Sequence, residues 1–204
     1  MFDGWAEDFP LLRVAAVDLQ NGLDVACASM DDYAQRVVAA ADTLPQPIAL
    51  CGWSMGGLVV LQAADSIRPQ SVILIEASLP GEVQGFDREV KPQHGTFDPE
   101  AVYGSFPPDM RARPESVFAR AERKRGISVP SLPCPSLVIY GDEFREERGL
   151  PLVSLYGSEG YDVPGLDHWG LVRDRRVREE IIRFLGEVPR APLKRVSSHG
   201  RPGF

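Results

Sequence analysis

The chain is poor in the residues that build metal and disulfide sites, with only three cysteines and three histidines in 204 residues. Cys27, Cys51 and Cys134 are far apart, odd in number and without C-x-x-C spacing. Neither a disulfide framework nor a zinc site is indicated, and a reducing, cytoplasmic location is expected. No apolar run approaches the roughly 18 residues of a membrane span. The opening MFDGWAEDFP lacks the basic segment and apolar stretch of a secretion signal, so no membrane partner and no secretion are expected. Positive charge is also in deficit: the net charge is −7 and no basic stripe precedes the C-terminal residues, which argues against nucleic acid. No internal repeat is present.

What is there is an ordinary globular composition, 44% hydrophobic and 25% charged, sufficient for one buried core. Arg13 to Leu19 (RVAAVDL) reads as a first strand, and Met30 to Leu44 as an amphipathic helix with Tyr33, Val37, Val38 and Ala41 on one stripe. Ile48 to Cys51 reads as a buried strand that leads into a helical period through Leu58, Leu61 and Gln62. Ser71 to Ile75 (SVILI) and Ser136 to Tyr140 (SLVIY) are short and almost wholly apolar, and Ile181 to Leu185 lies in a closing amphipathic helix. Short apolar strands separated by helices predict an α/β fold with a mostly parallel sheet and helices on both faces. The stretch from about residue 80 to 135 is rich in Pro, Gly, Arg and Glu, and its most helical part is Met110 to Arg125. It is expected to form a small cap insertion whose Phe86, Phe97, Tyr103 and Phe106 line a substrate pocket. One domain over residues 1–190 and a mobile tail over 191–204 complete the expected organisation.

The most informative segment is PIALCGWSMGGLVVLQAAD, Pro47 to Asp65, which sets a serine between glycines where a β-prone run meets a helical one. A serine exposed at the tip of such a strand-to-helix turn must adopt a strained backbone, with Gly52 and Gly56 expected to let neighbouring backbone pass close by. Ser54 is therefore a candidate nucleophile. A serine hydroxyl needs a base within hydrogen-bond reach and a carboxylate to orient that base. His94 lies in the insertion and His199 in the tail, whereas His168, in YDVPGLDHWGLV, follows a strand-like piece and precedes the last helix. His168 is the best candidate base.

With GWSMGG and GLDHWGLV in this order, the chain resembles the α/β-hydrolase superfamily from about Trp5 to Leu185. The elbow is similar to that of small carboxylesterases, including those acting on pimeloyl-carrier methyl esters. The resemblance implies Ser54 as nucleophile, His168 as general base and the Met55 N–H as one oxyanion donor. It also implies a second donor near Gly4, with Trp5 opening a helix, although the family's N-terminal strands and His-Gly loop have no counterpart here and the fold is expected to be N-terminally shortened. The family's acid commonly lies three residues beyond the glycine that ends the strand before the histidine loop. Counted from Gly141, that position is Phe144. The candidates are Asp142 first, Glu143 next and Glu76 third, the last because some members take their acid from that strand end; Glu146 and Glu147 lie further on, and Asp167 is expected to point away from the ring. Trp53 and Trp169 flank base and nucleophile as pocket walls or as core. The function expected is a serine hydrolase cleaving a small carboxylic ester or thioester through an acyl-enzyme, with no metal or organic cofactor. The alternative is a catalytically weak or inactive binding or scaffold protein of the same fold, and a further variant keeps the triad for lactone or C–C bond cleavage.

Overall fold

A strand of five consecutive apolar residues has no face to offer water, so it must be covered on both sides. SVILI and SLVIY are two such strands, and all ten of their residues are buried. The computed structural model describes residues 4–188, so the tail expected from residue 191 lies outside them. In chain order the elements are α1 (Trp5–Asp8), α2 (Met30–Ala41), β1 (Ala49–Trp53), α3 (Met55–Ile67), β2 (Ser71–Ile75), α4 (Gly81–Gln84), β3 (Thr96–Phe97), α5 (Pro99–Tyr103), β4 (Glu115–Ser116), α6 (Val117–Arg125), β5 (Ser136–Tyr140), α7 (Leu150–Tyr156), β6 (Glu159–Asp162) and α8 (Arg175–Glu187). A π-helical turn, Arg145–Gly149, leads into α7.

The main sheet runs β1-β2-β5-β6, and all three pairings are parallel. Alternation along the strands divides the core in two. Leu50, Val72, Leu74, Val138 and Tyr140 pack against Tyr33 and Val37 of α2, Leu58 and Leu61 of α3 and Leu152 of α7. Trp53, Ile73, Ile75, Leu137 and Ile139 pack on the other face against Trp5, Phe9 and, from α8, Val177, Ile181 and Phe184. The sequence of α2 starts cleanly because Ser29 and Asp32 form a reciprocal capping box. Because the four strands run parallel, their C-terminal ends open on one edge of the sheet, the edge from which βα loops project.

Two expectations are corrected. Among the described residues, Arg13 to Leu19 does not form a strand: β1 pairs with β2 alone and no described strand flanks the segment, and Val14 within it, with Leu11 and Leu12 before it, is exposed. In the connection between β2 and β5, the expected helix of Met110 to Arg125 is confined to α6, because Pro114 lies in the preceding segment and Ser116 caps the helix through the Ala119 N–H. The rest of that connection is a two-residue antiparallel pairing of β3 with β4 and two short helices.

Candidate active site

Ser54 sits between β1 and α3 with φ 54° and ψ −125°, a conformation that a residue with a Cβ rarely adopts. Neighbouring backbone holds it there: the Ser54 N–H donates to Ile75 O at 3.1 Å, and the Ser78 N–H donates to Ser54 O at 2.8 Å. Gly52 is required at this turn, because a Cβ there would lie 2.4 Å from Gly56 O. The other close approach belongs to Gly57, whose added Cβ would meet that of Ala77 at 2.2 Å, whereas Gly56, expected to fill that role, has open space beside it. The Ser54 hydroxyl is half-buried and has no hydrogen-bond partner among the described residues.

One strand over, the register pairs Trp53 with Ile75, so the next residues, Ser54 and Glu76, leave the sheet side by side. Glu76 also has positive φ, 39°, and its side chain is 0% exposed. A buried carboxylate must find donors. Oε1 accepts the Gly141 N–H at 2.9 Å, and Oε2 stands 2.6 Å from His168 Nδ1. With the carboxylate as acceptor, Nδ1 carries the proton, and Nε2 has no partner among the described residues. Arg148, from the π-helical turn, donates to Glu76 O at 3.4 Å and lies over the Phe144 ring at 3.8 Å. Burial pushes the Arg148 pKa down, opposed by the negative charge of Glu76.

His168 follows β6 and is held from three sides. Its ring stacks on Trp53 with centroids 4.5 Å apart, and the Trp53 indole N–H donates to His168 O at 3.0 Å. Phe144 meets the ring edge-on at 5.5 Å. Trp53 is thus both core and a support for the imidazole, while Trp169 bridges from Trp53 to Phe106 at ring distances of 5.1 and 4.6 Å.

The ranking of carboxylates is corrected by this geometry. Asp142 Oδ2 accepts the Gly165 N–H at 2.7 Å and Glu143 Oε2 accepts the His168 backbone N–H at 3.3 Å, so both shape the histidine loop and neither meets the ring. Phe144 fills the position where the resemblance places an acid, and the π-helical turn behind it swings Arg148 onto its face. Glu76 takes the place at the imidazole. Asp167 turns its carboxylate to the Gly170 N–H at 2.6 Å.

At the start of the described chain, Gly4 has φ 79° and precedes α1. Trp5 does open that helix, but it is 6% exposed and its indole N–H donates to Val172 O at 3.0 Å. Gly4 and Trp5 line a cavity of about 420 Å³ with Asp109, Met110 and Arg173, and neither Ser54 nor Met55 borders it. The Gly4 carbonyl accepts the Glu7 N–H at 3.1 Å, within its own helix start. The Met55 N–H is the first of α3, a 13-residue helix, and such leading N–H groups have no intrahelical acceptor. Of the expected pocket aromatics, Phe106 reaches the site through Trp169, Phe97 and Tyr103 meet each other edge-to-face at 6.0 Å, and Phe86 packs over Gly81 and Gly126. Among the described residues no group of three or more His, Cys, Asp or Glu could hold a metal ion, and no helix is long and apolar enough to cross a membrane.

A strained serine, an imidazole with a free Nε2 and a buried carboxylate on Nδ1 are the parts required for acyl transfer through a serine ester. Among solved structures, tomato methylketone synthase I in complex with beta-ketoheptanoate is similar with TM-score 0.62 at 16% identity, covering 91% of this chain and 92% of that one. Polyneuridine aldehyde esterase gives 0.59 at 14% identity over 89% and 93% of the two chains, and an Arabidopsis methylesterase 0.56 at 21% over 81% of each. At these identities the likeness is one of fold. No curated protein sequence matches at a significant level. The family model described as alpha/beta hydrolase family matches residues 3–200. With that match spanning nearly its whole length and a parallel sheet presenting Ser54 at a strand-to-helix turn, the chain belongs to the alpha/beta hydrolase family.

Proposed function

We propose that the protein is a cytoplasmic serine hydrolase that cleaves small carboxylic esters or thioesters through an acyl-enzyme. The observation that carries this reading is the 2.6 Å contact between His168 Nδ1 and the buried Glu76, set one strand away from the strained Ser54. In the reaction, Ser54 Oγ attacks the carbonyl carbon as His168 Nε2 takes its proton. Glu76 fixes the tautomer and stabilises the imidazolium that results. The oxyanion is met by the Met55 N–H, aided by the positive end of α3. The leaving alcohol or thiol takes the proton from Nε2, the ester bond to it breaks, and water activated by the same nitrogen then releases the acid and restores Ser54. The connection between β2 and β5 acts as the cap, with Phe106 and Trp169 walling the pocket. The three free cysteines suit a reducing compartment, and the esterases among the similar structures support ester chemistry.

A fluorophosphonate probe tests the reading: the intact protein takes one label, mass spectrometry places it on Ser54, and Ser54→Ala takes none. An intact protein that stays unlabelled while a control esterase reacts overturns the enzyme assignment and leaves a binding or scaffold role for the fold.

A further inference from the structure

The cap brings to the elbow a cation that acyl transfer does not use. Arg123 lies in the last turn of α6. Its Nη1 donates to Ser78 Oγ at 3.4 Å and its Nη2 to Tyr103 Oη at 3.1 Å, while Nε is shut off from solvent with no hydrogen-bond partner. Ser78 is the residue whose N–H holds Ser54 O. The guanidinium therefore stands one residue from the nucleophile.

Its electrostatic situation separates it from the arginines held in ion pairs. Arg113, Arg173 and Arg176 each pair with a carboxylate at 3.0 Å or less, and Arg183 pairs with several. Arg123 pairs with none among the described residues and ends on two neutral hydroxyls. Glu115 stands beyond ion-pair reach of it; burial pushes the Glu115 pKa up, opposed by the positive charges of Arg123 and Arg120. Arg148 adds a second positive charge near enough for the two to repel. The side chain is half-buried, with Nε closed off from water, and no carboxylate among the described residues stands within ion-pair reach of it, so its charge lacks a direct partner. An anion arriving there meets this deficit. Both hydroxyls already accept from the guanidinium, so each keeps its own O–H free to donate, and a planar guanidinium is matched to a two-oxygen anion.

We propose that Arg123, Ser78 and Tyr103 form a subsite for a carboxylate, and that the substrates of this site are esters or thioesters whose acyl group ends in that carboxylate. This rests on Ser54 as the nucleophile. The experiment compares the p-nitrophenyl half-esters of adipic and suberic acid with the p-nitrophenyl esters of hexanoic and octanoic acid. The intact protein is expected to favour the anionic member of each pair in kcat/KM by roughly ten- to hundredfold, the range of a charge-assisted hydrogen bond, with most of the difference in KM. Arg123→Met brings the ratio close to one, and Arg123→Lys keeps part of it; melting curves establish that each variant is folded. Equal or better use of the neutral esters by the intact protein overturns the proposal without touching the nucleophile assignment, as does a preference that survives in Arg123→Met. Should no ester be turned over, calorimetric titration of monomethyl adipate into the full chain still decides. Binding that Arg123→Met removes supports the subsite, and absence of binding to the intact chain refutes it.

Discussion

The ends of β2 and β5 invite comparison because both are five-residue buried strands followed at once by carboxylates. After β2 comes Glu76, fully buried, with positive φ and both oxygens engaged. After β5 come Asp142 and Glu143, which are exposed and, among the described residues, accept backbone N–H groups of the histidine loop and no side-chain donor. A carboxylate in water can point anywhere at little cost, whereas one withdrawn from water must be met by donors, and those donors define its task. The two ends also cooperate. Gly141, at the end of β5, supplies an N–H to Glu76, and a Cβ there would lie 2.3 Å from Leu166 O, so its small size is what lets the histidine loop settle over the acid.

The largest expected break in this contrast is in turnover. Glu76→Ala should lower kcat for a p-nitrophenyl ester by about 10⁴, as removal of a triad acid does, while Asp142→Ala and Glu143→Ala each cost less than about tenfold. Comparable losses for all three in steady-state kinetics would dissolve the distinction. Next comes Gly141→Ala: crowding against Leu166 should lower stability by about 1–3 kcal/mol in urea unfolding and loosen the imidazole, visible as lost fluorophosphonate reactivity in the folded protein. A variant as stable and as reactive as the parent would show that the close approach is dispensable. Trp53→Phe keeps an aromatic surface for stacking but removes the indole N–H from His168 O, a loss of about 1 kcal/mol and several-fold in kcat/KM. The smallest effect has the opposite sign. Ser54→Gly relieves the positive-φ strain and should raise the unfolding free energy by up to about 1 kcal/mol while abolishing labelling; a lower midpoint would mean that the elbow stores no strain.

Much of this was legible in the residues. SVILI and SLVIY announced buried parallel strands and the helix of Met30 to Ala41 carried its stripe, because period and apolarity are local properties. Ser54 and His168 stood out through a serine among glycines and the scarcity of histidine, and the structure places Ser54 at the strand-to-helix turn and the His168 ring on Glu76; their catalytic roles belong to the proposed function. The carboxylate was misranked because distance along the chain was read in place of register: Glu76 adjoins Ser54 only through the pairing of Trp53 with Ile75. A lone acid closing an otherwise apolar strand was the signal available. Arg13 to Leu19 has strand-like residues, yet a strand exists only with a partner, and pairing is not encoded in the segment itself. Arg123 and Arg148 escaped notice because arginines in charged stretches look solvated until packing withdraws them from water.

The contacts that aim the imidazole reach far along the chain: Glu76 lies 92 residues before His168, and the Trp53 indole bond spans 115. Slipping either strand by one position would turn its side chains to the opposite face and part acid from base. On the proposed function, reactivity toward a serine-directed probe reads out global assembly, and its loss in denaturant should coincide with the collapse of the whole sheet rather than with fraying of any single element.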